Sequence, residues 1–237
     1  VKAIYVEVVT KEATGIFGPI ERFQVPIILN TLRRVLVRHD ALATERVYDK
    51  MIREDRHGRS GYFMTAVSAV DCALWDLKGK LFGVPVYRLL GGPTRRQLPA
   101  YASMLGHSIN PEQAAATAVA YQDMGYTAQK WFFRYGPSHG AAGVAANVAL
   151  VRALRDAVGE TYPLMFDAFM GWNVTYASEI ARRIAPYHPA WLEEPIPPER
   201  VGGFVKIKQA ASIPLATGEH VYTRWQVREL LTAGAVD

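Results

Sequence analysis

The 237 residues are half hydrophobic, with 21% charged side chains, enough to bury a core in one large domain or two small ones. No apolar run reaches the length of a membrane span and the opening residues do not read as a signal peptide, so no membrane role is expected. The net charge of +5 comes from Lys and Arg scattered beside acids, with no dense basic block carrying interleaved aromatics, so no nucleic-acid partner is expected either.

In chain order, the opening stretch AIYVEVVTKEATGIFGP predicts a strand, a turn and a short second strand. Helical patterns follow near 24–38, 43–55 and 62–82. In the last, Val67, Val70, Leu74, Leu77 and Leu81 step by three and four and form one buried stripe. The single cysteine, Cys72, lies inside that pattern and cannot close an internal disulfide. A reducing, cytoplasmic setting is the expectation. Residues 1–97 read as an α+β domain.

From about residue 98 the texture becomes strand, helix, strand, helix. LPAYASML, TAQKWFF, YPLMFD, AWLEE and IPLATGE are the strand candidates. Asn110 caps the first intervening helix, Pro111 takes its first position and Gly125 ends it. The next helix turns Val148, Val151, Leu154 and Val158 to one side and stops at Gly159; another places Ala177, Ile180, Ala181 and Ile184 inward. Thr223 and Gln226 fit a capping box at the start of the last, and Gly234 ends it. Such repeats argue for a parallel α/β sheet. Five units fit between 98 and 237, fewer than the eight of a closed barrel. An open doubly wound sheet is the alternative, but no G-x-G-x-x-G loop accompanies it.

Three of those strands close on acids. Asp167, Glu193 and Glu219 are 26 positions apart in each case, one strand–helix unit. The spacing predicts three carboxylates at one height on neighbouring strands, converging at the C-terminal mouth. Converging carboxylates repel unless a cation gathers them, and an all-oxygen set suits a hard ion such as Mg²⁺. Glu194 adjoins Glu193, and alternation along a strand lets only one of the two face the mouth squarely. Lys130 ends the neighbouring strand, where it can act as a base or hold negative charge.

These residues resemble the enolase superfamily, in its mandelate racemase and muconate-lactonizing branch. AVSAVDCALWDLKGKLFGVPVYRLLGG, residues 66–92, is similar to the first signature of that branch, and the run from Leu164 through Asp167 to LEEP is similar to the second. The resemblance implies an N-terminal α+β capping domain, residues 1–97, and a modified (β/α)₇β barrel of which 98–237 is an incomplete part. It implies one Mg²⁺ on Asp167, Glu193 and Glu219, and proton abstraction beside a substrate carboxylate through a metal-stabilised enediolate. DAFMGWNVTYA, PIPPERVGGF, TGEHVYTRW and KWFFRYGPSHG look most like sugar-acid dehydratases of the L-rhamnonate dehydratase type. The expected activity is therefore dehydration of a sugar acid to a 2-keto-3-deoxy acid. Epimerisation, racemisation or cycloisomerisation by the same step, or a catalytically silent subunit, are the alternatives.

The resemblance also distributes roles. Lys130 aids proton transfer or neutralises the developing charge. His220 contacts substrate, transfers a proton, or fixes its loop by hydrogen bonding. Arg134 pairs with a substrate carboxylate or forms an ion pair at the rim. Phe132, on the Lys130 side of its strand, narrows the pocket, and Trp172 lines the mouth. Relatives often carry Lys-x-Lys where this chain has Lys130 and Phe132, which speaks against a two-base racemase. Phe169 replaces the usual Asn or His two places after the first acid. The strand expected before Val1 and the last barrel strands after Asp237 are missing from the pattern, so a truncated or incompletely observed longer protein is expected. The partners expected are a small sugar acid and further copies of the same chain in a homo-oligomer.

Overall fold

A computed structural model describes residues 3–237. The chain divides into two units, one ending at Gln97 and the other beginning at Leu98, and each is described by itself. No helix among the described residues is long and apolar enough to cross a membrane.

The first unit opens on the antiparallel pair β1 (Ile4–Val9) and β2 (Thr14–Ile20), with Val6 opposite Phe17 and Val8 opposite Gly15. Then come α1 (Gln24–Ile27), a π-helical turn (Ile28–Leu32) and α2 (Arg33–Leu36), which run on as one irregular helix. α3 (Thr44–Arg53), α4 (Gly61–Phe82) and the single turn α5 (Val86–Leu89) complete it; the sequence pattern had not indicated α5. Val67, Val70, Leu74 and Leu77 of α4 are buried with Leu32, Val47 and Met51. β2 lies directly on α4. A Cβ at Gly15 would stand 2.1 Å from the Ala73 carbonyl, a contact no other residue can make. Asp76 of α4 accepts the Ile16 N–H at 2.8 Å, and Lys80 donates to the Thr14 carbonyl at 2.9 Å. Burial works against the Asp76 charge, but these donors hold its carboxyl below the ordinary range.

The second unit is a five-stranded parallel sheet in strict sequence order: β3 (Ala102–Ser103), β4 (Gln129–Phe132), β5 (Leu164–Asp167), β6 (Trp191–Glu193) and β7 (Leu215–Ala216). The helices are α6 (Pro111–Asp123), α7 (Gly140–Val158), α8 (Val174–Ile184), α9 (Val201–Ala210) and α10 (Thr223–Thr232). A doubly wound sheet reverses its strand order at a switch point; this one does not, and it follows the order of a barrel arc. β3 is shorter than its candidate run because only Ala102 and Ser103 find partners, Gln129 and Lys130.

Alternation gives the sheet two faces. Trp131, Phe133, Leu164, Phe166, Leu192 and Leu215 enter one apolar cluster with Leu150, Leu154, Ile180, Ile184 and Phe204 from the helices. Their neighbours Lys130, Phe132, Met165, Asp167, Trp191 and Glu193 fall outside that cluster. The helix ends follow the expected chemistry at Asn110, whose Oδ1 accepts from the N–H groups of Glu112 and Gln113. Gly125, Gly159 and Gly234 take positive φ just past their helices. The capping box at α10 is corrected. Tyr222 is the N-cap, Thr223 already lies inside the helix with φ +68°, and Gln226 reaches back to the Tyr222 N–H.

Arg155 is the least expected core residue. Its guanidinium is buried and donates to four carbonyls, those of Gly159, Tyr162, Tyr187 and His188. No carboxylate forms an ion pair with it among the described residues. Burial pulls its pKa down and the charge of Glu160 opposes that.

Candidate active site

β5 and β6 are in register with Asp167 opposite Glu193, so these two carboxylates do stand at one height. Asp167 is oriented from its own loop: its Oδ1 accepts the Phe169 N–H at 2.9 Å. That turn holds Phe169 and Met170 at φ +48° and +58°, and Glu194 at the end of β6 has φ +41°. Strained backbone of this kind persists only where the surroundings hold it. Here the holding is visible, since Met170 donates to the Glu194 carbonyl at 2.7 Å and Trp172 to that of Pro195 at 3.1 Å.

Lys130 rises from β4 to both acids. Its Nζ is 3.1 Å from Asp167 Oδ2 and 2.6 Å from Glu193 Oε1. Burial opposes the ammonium charge, but the two carboxylates overcome it and raise the Lys130 pKa well above the ordinary amine value. Asp167 gains less. Burial lifts its pKa, the Phe169 N–H and Lys130 pull it back, Glu193 adds repulsion, and the net direction is upward. One ammonium shared by two carboxylates leaves negative charge uncompensated.

Glu219 departs from the expected height. The strand partner of Glu193 is Ala216, and Glu219 sits three residues further on, in the turn after β7. Thr217 and Gly218 cause the offset. The chain bends at Gly218, with φ +146°, and both residues donate to Glu194 Oε1, at 3.0 and 3.5 Å. Glu219 nevertheless feels the same centre: burial and the charges of Glu194 and Asp167 raise its pKa, against His220 and Lys130.

Glu194 is more than a spare neighbour of Glu193. It is 1% exposed and its Oε2 lies 2.9 Å from His220 Nδ1. One ligand atom each from Glu194, Glu219 and His220 lie within 4.8 Å of one another. The adjacent acids thus divide the work, Glu193 toward Lys130 and Asp167, Glu194 toward the β7–α10 loop. Sequence carried the signal of the pair but not the division.

The remaining candidates fare differently. Phe132 is on the Lys130 side, buried, and packed toward Phe169 with ring centres 6.3 Å apart. Arg134 is exposed past the end of β4. Trp172 is corrected: it belongs to the helix-side core, against Phe133 and Tyr176, and its Nε1 donates to the Tyr135 carbonyl at 2.9 Å. An indole so engaged has no surface left for a mouth. Asn147 of α7, buried and not anticipated, donates to the same carbonyl at 3.0 Å. Trp191 donates from Nε1 to Glu193 Oε2 at 2.9 Å, and Tyr101 packs edge-on to it and faces Lys130 Nζ at 5.9 Å. A Trp two places before an acid on a strand is the sequence signal for that bond, readable only once the inner face is known.

A parallel strand arc with acids and a lysine at the C-terminal ends of successive strands has the layout of a barrel-type active site. The chain belongs to the mandelate racemase/muconate lactonizing enzyme family of the enolase superfamily. Residues 2–91 match the mandelate racemase / muconate lactonizing enzyme N-terminal domain, and residues 113–237 the enolase C-terminal domain-like family. The chain is 35% identical over 214 residues to an L-rhamnonate dehydratase of Saccharopolyspora erythraea, covering 89% of this chain and 52% of that protein. It superposes on the rhamnonate dehydratase of Gibberella zeae complexed with Mg at TM-score 0.85 and 32% identity, covering 98% of this chain and 56% of that one. A racemase of Streptomyces coelicolor with bound magnesium gives TM-score 0.86 at 30% identity, covering 98% and 65%. The chain thus spans about half the length of the curated relative it matches.

Proposed function

We propose that this chain contributes the metal-binding part of a Mg²⁺-dependent dehydratase acting on a sugar acid of the L-rhamnonate kind. The observation that carries the reading is the Asp167–Lys130–Glu193 bridge at the strand ends. The donor set fits the ion. Asp167, Glu193 and Glu219 offer hard oxygen atoms, and their repulsion is only partly relieved by one ammonium. Bound there, Mg²⁺ would supply electrostatic stabilisation of negative charge developing on the substrate carboxylate.

The chain's own residues do the rest. Lys130 holds negative charge beside the acids and is the group placed to move a proton at Nζ. His220 has Nδ1 committed to Glu194, which leaves Nε2 for substrate contact or proton exchange. Phe132 stands where a second lysine would serve a two-base racemase, and its ring can take no proton, which speaks against that mechanism. Arg134, exposed past the end of β4, is read as the partner for a carboxylate of an acidic substrate. The lone cysteine supports a reducing, cytoplasmic setting, and the protein is read as a homo-oligomer.

The test is incubation of the full-length protein with Mg²⁺ and a panel of aldonates in heavy water. A 2-keto-3-deoxy acid that requires Mg²⁺ and vanishes in Glu219→Gln supports the reading. Solvent exchange without loss of water indicates an epimerase instead, and unchanged turnover in Glu219→Gln removes the ligand assignment.

A further inference from the structure

We infer that Trp191 is a positioning residue that locks the Glu193 carboxylate and thereby sets which divalent ion the site prefers. The inference rests on the metal reading above. Both oxygens of Glu193 are engaged, and by different partners: Oε2 accepts the Trp191 indole N–H at 2.9 Å, while Oε1 turns to Lys130 at 2.6 Å. A carboxylate's terminal torsion is broad and two-fold. Without a partner on Oε2 it would be held through Lys130 alone, a contact an ion would disturb, and ordering the carboxylate would then cost affinity when the ion binds. The indole supplies that order in advance.

The chemistry of the donor matters as well. An indole N–H donates but carries no charge. It fixes the carboxylate without neutralising it, so the Lys130 ammonium, and not the indole, is what a cation would compete with for the negative charge. It also commits one oxygen, leaving Oε1 as the oxygen offered toward Asp167. Ca²⁺ accepts carboxylates through one or both oxygens in flexible shells, whereas Mg²⁺ demands a small, near-octahedral one. With Oε2 committed to the indole, Oε1 is the one oxygen a cation would take in place of Lys130, and a carboxylate so restricted favours Mg²⁺.

Trp191 is itself held. β6 pairs it with Met165 of β5, and Tyr101 packs edge-on to its ring, centres 6.0 Å apart at 77°. The order of support runs from Tyr101 to Trp191 to Glu193, all on the inner face.

The test uses the full-length protein and measures Mg²⁺ and Ca²⁺ separately by displacement of Mn²⁺, read by electron paramagnetic resonance. Trp191→Phe keeps the ring and loses the N–H. Its Mg²⁺ affinity is expected to fall about 10–100-fold, the range for partners of a metal-bound residue, with a smaller loss for Ca²⁺, so that the Mg²⁺/Ca²⁺ ratio drops. Trp191→His retains a ring N–H at similar reach and is expected to recover most of both. Equal affinity and ratio in Trp191→Phe would overturn the inference. Wild-type protein that binds neither ion would overturn the metal reading first, so the two failures are distinguishable. A measurement without a variant stands behind these, should the variants not fold: in wild-type protein with ¹⁵N-labelled tryptophan, one indole N–H resonance is expected to move on addition of Mg²⁺. If none moves, the inference fails.

Discussion

The two faces of the five-stranded sheet are built from the same strands, one residue apart, and obey opposite rules. On the helix side, Trp131, Leu164, Phe166 and Leu192 are wholly shielded and apolar. On the other side, Lys130, Asp167, Trp191 and Glu193 trade hydrogen bonds and charge. Packing stabilises the first face and contributes nothing chemical. The second face leaves carboxylate charge uncompensated, a cost in folding that a cation can offset. The contrast teaches that stability and chemistry are separable here at single-residue resolution.

The largest effect that should separate the faces is on the charged side. Asp167→Asn is expected to reduce turnover about a thousandfold, since several kcal/mol of charge stabilisation go with it, while the melting temperature stays near wild type. A parallel loss of turnover and stability would erase the distinction. Phe166→Ala should do the reverse, costing roughly 3–5 kcal/mol in denaturant unfolding through the cavity it leaves. Arg155→Met is expected to destabilise by about 3 kcal/mol by abandoning buried carbonyls, again without a change in substrate affinity beyond that of the folded fraction. The smallest effect is at the rim of the helix layer: Asn110→Ala should cost about 1 kcal/mol, and a null result in chemical denaturation would mean the cap at α6 is dispensable.

The pattern of the sheet was legible in sequence because its signals are local. Apolar runs ending in acids at a constant interval announce strands, and Asn110-Pro111 and Gly159 announce helix ends. The site was legible only in part. Equal spacing suggested equal height for Asp167, Glu193 and Glu219, but interval is not register, and Thr217 and Gly218 turn the chain between the partner of Glu193, Ala216, and Glu219. Alternation could not give the phase that sends Glu193 to Lys130 and Glu194 to His220. Trp172 was misplaced because the acceptor of its N–H, the Tyr135 carbonyl, is 37 residues away. The sequence pattern did not set Arg155 apart from the other scattered cations. Nothing in its neighbours along the sequence reveals that four main-chain oxygens will enclose it.

That enclosure has an evolutionary consequence. The partners of Arg155 are peptide oxygens, so Tyr162 and Tyr187 can be exchanged for other residues and still present the same acceptors, provided the backbone path is kept, whereas Gly159 and His188 sit at positive φ and are bound by their backbone conformation. Two of the four partner sites are thus constrained only in their main chain's path, two in its conformation as well, and position 155 alone in its side chain.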